Sequence, residues 1–465
     1  MFDRYMICPD GFTNVVENGA IIGFQIRVRI TYYRGIALSL VEGFDVSVDG
    51  RKYSREQVRF SVKGQTFSFA EMAKTTEERW NFGEPATLTI PEPGGLAPGS
   101  HEIEVLEHLR ISYLPWPSVT ADRKVLTLAS SRPQKDAGPS ASKIKLGVSL
   151  YSFQEEYFLG KMTLEDCIAA ASNLGAEGIE ILGEQMIPNF PSPDAKFMSQ
   201  WFSWMEKYGV TPTAYDGFLD TKLHKDRLLD EQECVEMMER DIKLASQLGF
   251  KVLRTLVMTP RAVIEKSLPI AERHDVKIGI EIHAPFSLKS AWFNDFQEFA
   301  EKAQSPYFGI VPDMGIFVRR LPPVYLGWHV RHGATPAIVD YIAQAYASGV
   351  EKEAAKAEVA RLGGSETDLR LCEQAFHYSC DDLEWLRPQL ARSVHIHAKF
   401  YEMTPECVEP SIPYNEIMPI LVEGGFNGYL SSEYEGQRHI QDLGEVDSVE
   451  QVRRQHRMFR KLLGE

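Results

Sequence analysis

The chain has 465 residues, of which 44% are hydrophobic and 25% charged, a composition typical of a globular protein with two or three domains. Its formal net charge of −15, with no run of lysine or arginine, argues against nucleic acid as a partner. The six cysteines show no metal-binding spacing, no apolar run is long enough to cross a membrane, and the opening residues lack the features of a signal peptide. We therefore expect a cytoplasmic protein with free thiols and no membrane partner.

Residues 1–128 show the alternation of β-strands. In GFQIRVRITYY, the apolar residues Phe24, Ile26, Val28 and Ile30 alternate with polar ones, which is the period of a strand with one buried face. FDVSVDG, VRFSV, ATLTI and HEIEVLEHLRISYL continue the pattern between glycine- and proline-rich segments, without a convincing amphipathic helix. This spacing predicts an all-β sandwich domain.

The rhythm changes after residues 129–143, ASSRPQKDAGPSASK, which are predicted to be a linker. From 144 to 465, strand-like runs alternate with helical segments such as LEDCIAAASNLG, which ends in the glycine typical of a helix C-terminus. The strand-like runs are IKLGVSL, EGIEIL, VTPTAY, KVLRTLV, KIGIEIH, FGIVPD, SVHIHAKF and GYLSSEYE. Eight such units predict an α/β fold, the TIM (β/α)8 barrel, with an insertion at about 315–390 after the sixth strand.

Polar side chains occur at or near the ends of these eight strands. A TIM barrel carries its chemistry at the C-terminal ends of its strands, so these residues should face the mouth of the barrel. They are Tyr151, Glu180, Tyr215, Arg254, Glu281, His283, Asp313, His395, His397, Lys399, Glu433 and Glu435.

Four of these residues are predicted to bind a metal ion. Glu281, Asp313, His397 and Glu433 come from strands five to eight, and three converging carboxylates repel one another unless a cation neutralises them. Oxygen-dominated ligation with one imidazole favours Mn²⁺ or Mg²⁺ over structural Zn²⁺, with Co²⁺ as a further option. Salt-bridged loop residues are the alternative explanation, and Arg254 could pair with a core carboxylate or bind a substrate oxygen.

The Glu–Asp–His–Glu order resembles that of the xylose isomerase-like superfamily, which includes sugar epimerases, inosose dehydratases and endonuclease IV. The matching motifs are GIEIH, VPDMG, HAKF and SSEYE. One departure is Ile316, where the epimerases and the endonuclease usually carry a histidine. The endonuclease also needs a histidine-rich trinuclear zinc site, where strand three here offers Tyr215 and Asp216; together with the net charge, this disfavours DNA repair.

The N-terminal half indicates which enzyme class of that superfamily the chain resembles. GFQIRVRITYYRGIALSLVEGFDVSVDG and RISYLPW resemble the small β subunit of bacterial C-glycoside deglycosidases, whereas IEIHAP and HIHAKFYEM resemble their large α subunit. Those subunits are usually separate chains, and here they are fused with the β part first. We expect the β half to pack against the barrel, because RITYYRG and RISYLPW carry more aromatic residues than a small sandwich core needs.

The resemblance implies Mn²⁺ and a 3-keto C-glycoside substrate, oxidised beforehand by a separate sugar 3-oxidoreductase. The enzyme would be a carbon–carbon lyase acting on compounds with a flavonoid-like aglycone: the 3-ketone acidifies the C2 proton, and the aglycone leaves by β-elimination. His283 shares the face of Glu281 and is predicted to be the base or acid, with Lys399 and Glu435 as further catalytic candidates. The predicted substrate-binding residues are Tyr151, Glu180, Tyr215, Arg254 and His395.

The expected oligomeric state is a homo-oligomer.

Two other classes of function remain open. A sugar or cyclitol epimerase, isomerase or dehydratase would use the same metal–enolate chemistry. A non-catalytic carbohydrate-binding protein would use the sandwich as its binding module, but such a module has no need of a clustered set of metal ligands.

Overall fold

The computed structural model describes residues 2–8, 12–17, 20–96, 101–126, 144–444 and 446–464. Within these residues, its N-terminal domain contains antiparallel sheets and one short α-helix. These elements are β1 (Thr13–Glu17), β2 (Ala20–Val28), β3 (Ile36–Ala37), β4 (Val41–Val48), β5 (Arg51–Tyr53), β6 (Arg59–Val62), β7 (Gln65–Phe67), α1 (Phe69–Met72), β8 (Arg79–Trp80), β9 (Ala86–Pro91), β10 (His101–Leu109) and β11 (Ser118–Leu126). The predicted linker, 129–143, lies outside the described residues.

Two sheets of this domain enclose a common core. One has the strand order β1-β2-β9-β6-β7 and the other β11-β10-β4-β5, while β3 and β8 form a separate pair. The alternation noted in the sequence is the alternation of burial: Phe24, Ile26 and Val28 of β2 are fully buried beside Leu88 and Ile90 of β9. The prediction of an all-β sandwich is confirmed.

The second and larger domain is built around eight parallel strands. They are β12 (Lys145–Ser149), β13 (Gly178–Leu182), β14 (Thr211–Gly217), β15 (Val252–Thr255), β16 (Lys277–Ile282), β17 (Phe308–Pro312), β18 (Ile396–Phe400) and β19 (Tyr429–Tyr434). The accompanying helices are α2 (Gln154–Phe158), α3 (Leu164–Asn173), α4 (Gly183–Met186), α5 (Ala195–Tyr208), α6 (Glu231–Gln247), α7 (Arg261–His274), α8 (Ala291–Ala303), α9 (Pro323–Arg331), α10 (Pro336–Ala347), α11 (Lys352–Arg361), α12 (Glu366–Ala375), α13 (Tyr414–Glu423) and α14 (Ser448–Leu463). Among the described residues, no helix is long and apolar enough to cross a bilayer.

The strands follow one another around a nearly closed ring. Continuous ladders join each strand to the next from β12 to β17, β18 to β19, and β19 back to β12. Between β17 and β18 the contact consists of two isolated bridges, Ile310 with Ser393 and Asp313 with His397. The predicted TIM barrel is confirmed, and its least continuous seam passes through two of the predicted metal ligands.

Local sequence signals set the helix ends around the barrel. The side chain of Thr163 caps α3 and that of Asp230 caps α6, each in a reciprocal capping box. Gly175 and Gly249 follow the ends of these helices with φ of +80° and +86°, a conformation that glycine adopts without steric cost.

Helices α9–α12 occupy the chain between β17 and β18. Ile342, Val359 and Leu371 belong to a small core of their own, distinct from that of the barrel. Gln374 of α12 and Tyr378, just after that helix, line the cavity at the mouth of the barrel, so the end of this segment lies beside the mouth.

The two domains pack closely together. Phe158 of α2 lies in the core of the N-terminal domain, stacked 4.6 Å from the ring of Phe2. Arg34, between β2 and β3, is 1% exposed and forms ion pairs with Glu184 and Asp220 of the barrel loops. The expected packing is confirmed, and Tyr33, one of the aromatic residues that suggested it, takes part, with its ring 5.7 Å from that of Tyr151 and 6.1 Å from that of Phe218.

Candidate active site

The mouth of the barrel opens into a cavity of about 820 Å³ that also borders the N-terminal domain. That domain contacts the loops after β12, β13 and β14, through hydrogen bonds such as Tyr5 to Glu155 at 2.6 Å and Ser39 to the carbonyl of Leu223 at 2.8 Å. The α9–α12 segment stands on the opposite side of the ring, and Gln374 and Tyr378 line the cavity from there. The cavity is therefore a cleft with charged residues of the barrel at its base.

His397 lies at the centre of a buried carboxylate cluster. Its Nδ1 is 2.7 Å from Glu281 Oε1 and 3.7 Å from Glu433 Oε2, and on its other side Nε2 is 3.2 Å from Glu180 Oε1. These side chains come from β16, β18, β19 and β13, whose C-terminal ends meet at the mouth. The structure thus brings together three of the four predicted metal ligands.

Asp313, the fourth predicted ligand, is held slightly apart from this trio. Its Oδ2 pairs with Lys399 Nζ at 2.5 Å and its Oδ1 accepts a hydrogen bond from the backbone of Gly315 at 2.7 Å. Lys399 Nζ also lies 3.4 Å from Glu433 and 3.6 Å from Glu435. The position that the sequence pattern reserves for histidine is occupied by Ile316, which is fully buried in the barrel core.

Glu180 and His395 lie beneath the cluster rather than in the cleft. Both are almost completely buried, and neither is among the residues that line the cavity. His395 Nε2 donates to Glu180 Oε2 at 2.5 Å, while Glu180 Oε1 faces His397 Nε2. Glu180 thus faces one ring nitrogen of His397 from behind, while Nδ1 on the other side of the ring faces Glu281 and Glu433.

Arg254 and Tyr215, two other predicted substrate-binding residues, differ in whether they line the cleft. Arg254 lines the cleft, with Nε 3.1 Å from Asp216 and 3.9 Å from Glu281. Tyr215 is 1% exposed, belongs to the barrel core and does not line the cleft. Direct substrate contact, as predicted from sequence, is therefore compatible with the placement of Arg254 and Tyr151, both of which line the cleft, but not with that of Tyr215, Glu180 or His395.

His283 faces the cleft just after β16. Its Nδ1 donates to the backbone carbonyl of Ala284 at 2.6 Å, because a carbonyl oxygen can only accept. In the neutral ring this leaves Nε2 without a proton, 3.9 Å from Glu281 Oε2. The side chain is 30% exposed, unlike that of His397, which is completely buried.

The buried carboxylates of the cluster shift the pKa values of their neighbours in the direction that favours positive charge. Burial, with Asp313 and Glu435 nearby, raises the pKa of Glu433 to about 7 despite Lys399 and His397. Burial opposes charge on His397 too, but the surrounding carboxylates outweigh it and raise its pKa well above the usual range. For Glu435, Arg438 and Lys399 overcome burial and lower the pKa to about 2.

The donor set fits a divalent cation. Glu281, His397 and Glu433 offer ligand atoms that all lie within 4.8 Å of one another. Asp313 Oδ2, Glu433 Oε2 and both ring nitrogens of His397 are buried without a well-directed hydrogen bond from any described residue. Such atoms are costly to bury, and a cation would satisfy them while neutralising the carboxylates.

Several cleft residues were not identified from the sequence. Arg438 donates to Tyr151 at 3.1 Å and pairs with Glu435 at 2.9 Å; its position three residues after Glu435 was the available signal. Tyr32, Tyr33, Tyr113 and Trp116 line the cleft from the N-terminal domain, whose docking site no pattern within the barrel sequence reveals.

Both halves of the chain match known families. Residues 168–462 match the family described as "Xylose isomerase-like TIM barrel", and residues 2–113 match "C-glycoside deglycosidase beta subunit". The "3'-dehydrocarminate deglycosidase alpha subunit" of a Microbacterium species is 32% identical over 340 residues, which are 69% of this chain and 96% of that protein. The chain belongs to the C-glycoside deglycosidase family.

Relatives of each half are separate proteins. The "C-glycoside deglycosidase alpha subunit" of Arthrobacter globiformis is 30% identical over 70% of this chain and 95% of its own length. The "C-glycoside deglycosidase beta subunit" of Eubacterium cellulosolvens is 34% identical over 24% of this chain and 78% of its own length. Here regions similar to alpha and beta subunits occur in one chain, with the beta-like region first.

Proposed function

We propose that the chain cleaves the carbon–carbon bond between a 3-keto glucosyl group and an aromatic, flavonoid-like aglycone. The observation that supports this most directly is the meeting, in one cleft, of the Glu281–His397–Glu433 cluster, the imidazole of His283 and an aromatic wall from the N-terminal domain. A relative named for deglycosylation of a dehydro compound is in keeping with an oxidised sugar as substrate.

Glu281, Asp313, His397 and Glu433 would hold the cation, for which we propose Mn²⁺, with Mg²⁺ or Co²⁺ as alternatives. When bound, it would supply Lewis acidity toward a ketone oxygen of the substrate. Glu180 and His395 act as positioning residues, because their hydrogen-bonded pair lies behind His397 and holds its ring in place.

His283 is the proposed general base. Its unprotonated Nε2 takes the proton from sugar C2, which the neighbouring 3-ketone has made acidic. A C1–C2 double bond forms as the C1–aglycone bond breaks, and the bonding electrons leave with the aglycone carbon. The imidazolium then returns its proton to that carbon, so the products are the free aglycone and an unsaturated 3-keto sugar, with no water consumed.

Charged residues around the base of the cleft would orient the sugar. Lys399 is hindered in ionising by burial, but Asp313, Glu433 and Glu435 outweigh this and raise its pKa well above the usual range. It therefore holds its proton, which suits hydrogen-bond donation to substrate oxygens better than proton transfer. Glu435, Arg254 and Tyr151 line the same cleft and complete the proposed set of sugar contacts.

The proposed substrate requires another enzyme, because its 3-ketone must be produced by a separate sugar 3-oxidoreductase acting first. We place the reaction in the cytoplasm, where the six free cysteines stay reduced. A homo-oligomer is proposed as the functional state.

The test is turnover of a 3-keto C-glucoside of a flavone, with the unoxidised C-glucoside as the matched control. We expect release of the aglycone from the keto form only, loss of activity in EDTA and recovery with Mn²⁺. Full activity in EDTA by protein that contains no stoichiometric metal would refute the role of the cation. Turnover of a free keto-sugar or cyclitol, with no cleavage of any glycoside, would instead identify an epimerase, isomerase or dehydratase.

A further inference from the structure

We infer that the N-terminal domain forms the binding subsite for the planar aromatic aglycone, with Trp116 at its outer end. This inference rests on the proposed function and specifies which part of the chain selects the substrate. It assigns to the beta-like region a direct contact with substrate in addition to its packing against the barrel.

The first observation is a continuous series of aromatic rings. Tyr113 lies 6.4 Å from Tyr32, Tyr32 lies 4.5 Å from Tyr33, and Tyr33 lies 5.7 Å from Tyr151 of the barrel. Tyr151 in turn accepts a hydrogen bond from Arg438, the partner of Glu435. The series therefore leads from the N-terminal domain to the charged base of the cleft.

The second observation is the separation of polarity within the cleft. The N-terminal domain contributes no charged side chain to the described lining of the cavity, whereas the barrel contributes Glu281, Asp313, Lys399 and Glu433. A C-glycoside has the same division, since a polar sugar is joined through one bond to an apolar ring system. Placing the sugar at the base brings the aglycone against the aromatic wall.

The third observation is exposed apolar surface at the rim. Trp116 is 64% exposed and Met258, which lines the cleft from the barrel, is 58% exposed. Leu256 and Phe218 extend the barrel side inward. Large apolar side chains exposed around a cleft are typical of a ligand site, and flat aromatic ligands gain from stacking on such rings.

The test compares Trp116→Ala with the wild-type full-length chain. Trp385→Ala is the matched control, because Trp385 is also exposed, at 46%, but does not line the cleft. The probes are the free flavone apigenin, titrated by calorimetry, and two 3-keto C-glucosides that carry either a flavone or a single phenol ring. Trp116→Phe, which keeps a ring at this position, is a second variant.

We expect Trp116→Ala to weaken apigenin binding by about tenfold, and to raise KM for the flavone glucoside by a similar factor while kcat changes little. The phenol glucoside should change by less than about threefold, because one ring next to the sugar does not reach the rim. Trp116→Phe should retain most of the affinity, and Trp385→Ala should match the wild type.

Unchanged apigenin affinity in Trp116→Ala would overturn the inference, as would equal losses for the two glucosides. The proposed function fails in a different way, namely if the wild type cleaves neither glucoside. In that case calorimetry with apigenin still decides whether the aromatic wall is a binding site.

Discussion

His283 and His397 show how two histidines near the ends of different barrel strands, β16 and β18, acquire different roles. His397 is fully buried among carboxylates, whereas the half-buried His283 keeps one ring nitrogen free toward the cleft. We expect His283→Ala to lose activity by a factor of about 10²–10⁴ and to keep its metal. His397→Ala should lose both, because a ligand is removed.

Metal content and turnover of the keto glucoside, measured on the same preparations, separate these outcomes. If His283→Ala emptied the metal site, His283 would be a ligand. If it kept near-normal turnover, another group in the cleft would transfer the proton.

A second prediction concerns Glu180, which pairs with His395 and lies 3.2 Å from Nε2 of His397. Glu180→Gln preserves the shape but removes the negative charge that orients His397. Metal affinity should fall by about 10- to 100-fold, as for other carboxylates behind a ligand histidine. Calorimetric titration of the metal-free protein with Mn²⁺ measures this, and the exposed Glu298→Gln is the control. Equal affinity in the two variants would remove Glu180 from this role.

At the scale of elements, Arg34 joins the β2–β3 connection to the loops that follow β13 and β14. It is buried against Glu184 and Asp220, with its guanidinium 4.6 Å from the ring of Phe218. Arg34→Met leaves two buried carboxylates without this partner, which should cost about 3–5 kcal/mol of stability. The exposed Arg123→Met should cost little.

A double variant distinguishes the charge from the packing of Arg34. In Arg34→Met/Asp220→Asn the carboxylate of Asp220 is replaced by a neutral amide and Glu184 keeps its ion pair with Arg79 at 2.9 Å, so thermal stability should largely return. If Arg34→Met alone melted like the wild type, the ion pairs would contribute nothing to the docking of the two domains.

The contact between α2 and α14 predicts a dependence on pH. Glu156 of α2 accepts a hydrogen bond from the backbone of Ser448 at 2.9 Å, and burial raises its pKa from 4.5 to about 7. The folded state therefore binds this proton more tightly than the unfolded state does. The resulting stability is fully present below about pH 4.5 and is lost as the pH rises through 7, a change of roughly 3 kcal/mol.

Glu156→Gln should remove this contribution, because the amide stays neutral. Thermal unfolding at pH 5 and pH 8 measures it: the fall in Tm between the two pH values should be smaller in the variant than in the wild type. Glu272→Gln, at an exposed position, should behave like the wild type. Identical pH dependence in the wild type and Glu156→Gln would contradict the prediction.

Strands and helices were predictable from sequence where the local pattern of apolar and polar residues determines them. The eight strands follow from apolar runs, and strand-end position alone brought Glu281, His397 and Glu433 together. The burial of Glu180 below the cleft was not predicted. Inward-facing residues of a barrel lie at different depths along its axis, and the sequence does not show how deep each one lies. The buried ion pairs of Arg34 and the place of Trp116 in the cleft were not identified either, since their surroundings arise only when the two domains meet.

At the scale of the whole molecule, association of the two domains should not depend on the covalent connection between them. The shared packing of Phe2 and Phe158 and the pairing of Arg34 with Asp220 are both non-covalent. We predict that a protease site introduced within residues 129–143 can be cut without separating the halves. Gel filtration after cleavage, beside the uncut chain, tests this. Two separate peaks at micromolar concentration would contradict it.

The seam between β17 and β18 connects the metal cluster to the architecture of the barrel. Two isolated bridges join these strands, one of them between Asp313 and His397, and the α9–α12 segment begins and ends on either side. Because Asp313 and His397 are both proposed ligands, a bound cation would stabilise the contact between these two strands. Metal binding would then also stabilise the position of the α9–α12 segment, whose Gln374 and the nearby Tyr378 line the cleft. Loss of the metal would therefore affect both the β17–β18 contact and this wall of the cleft.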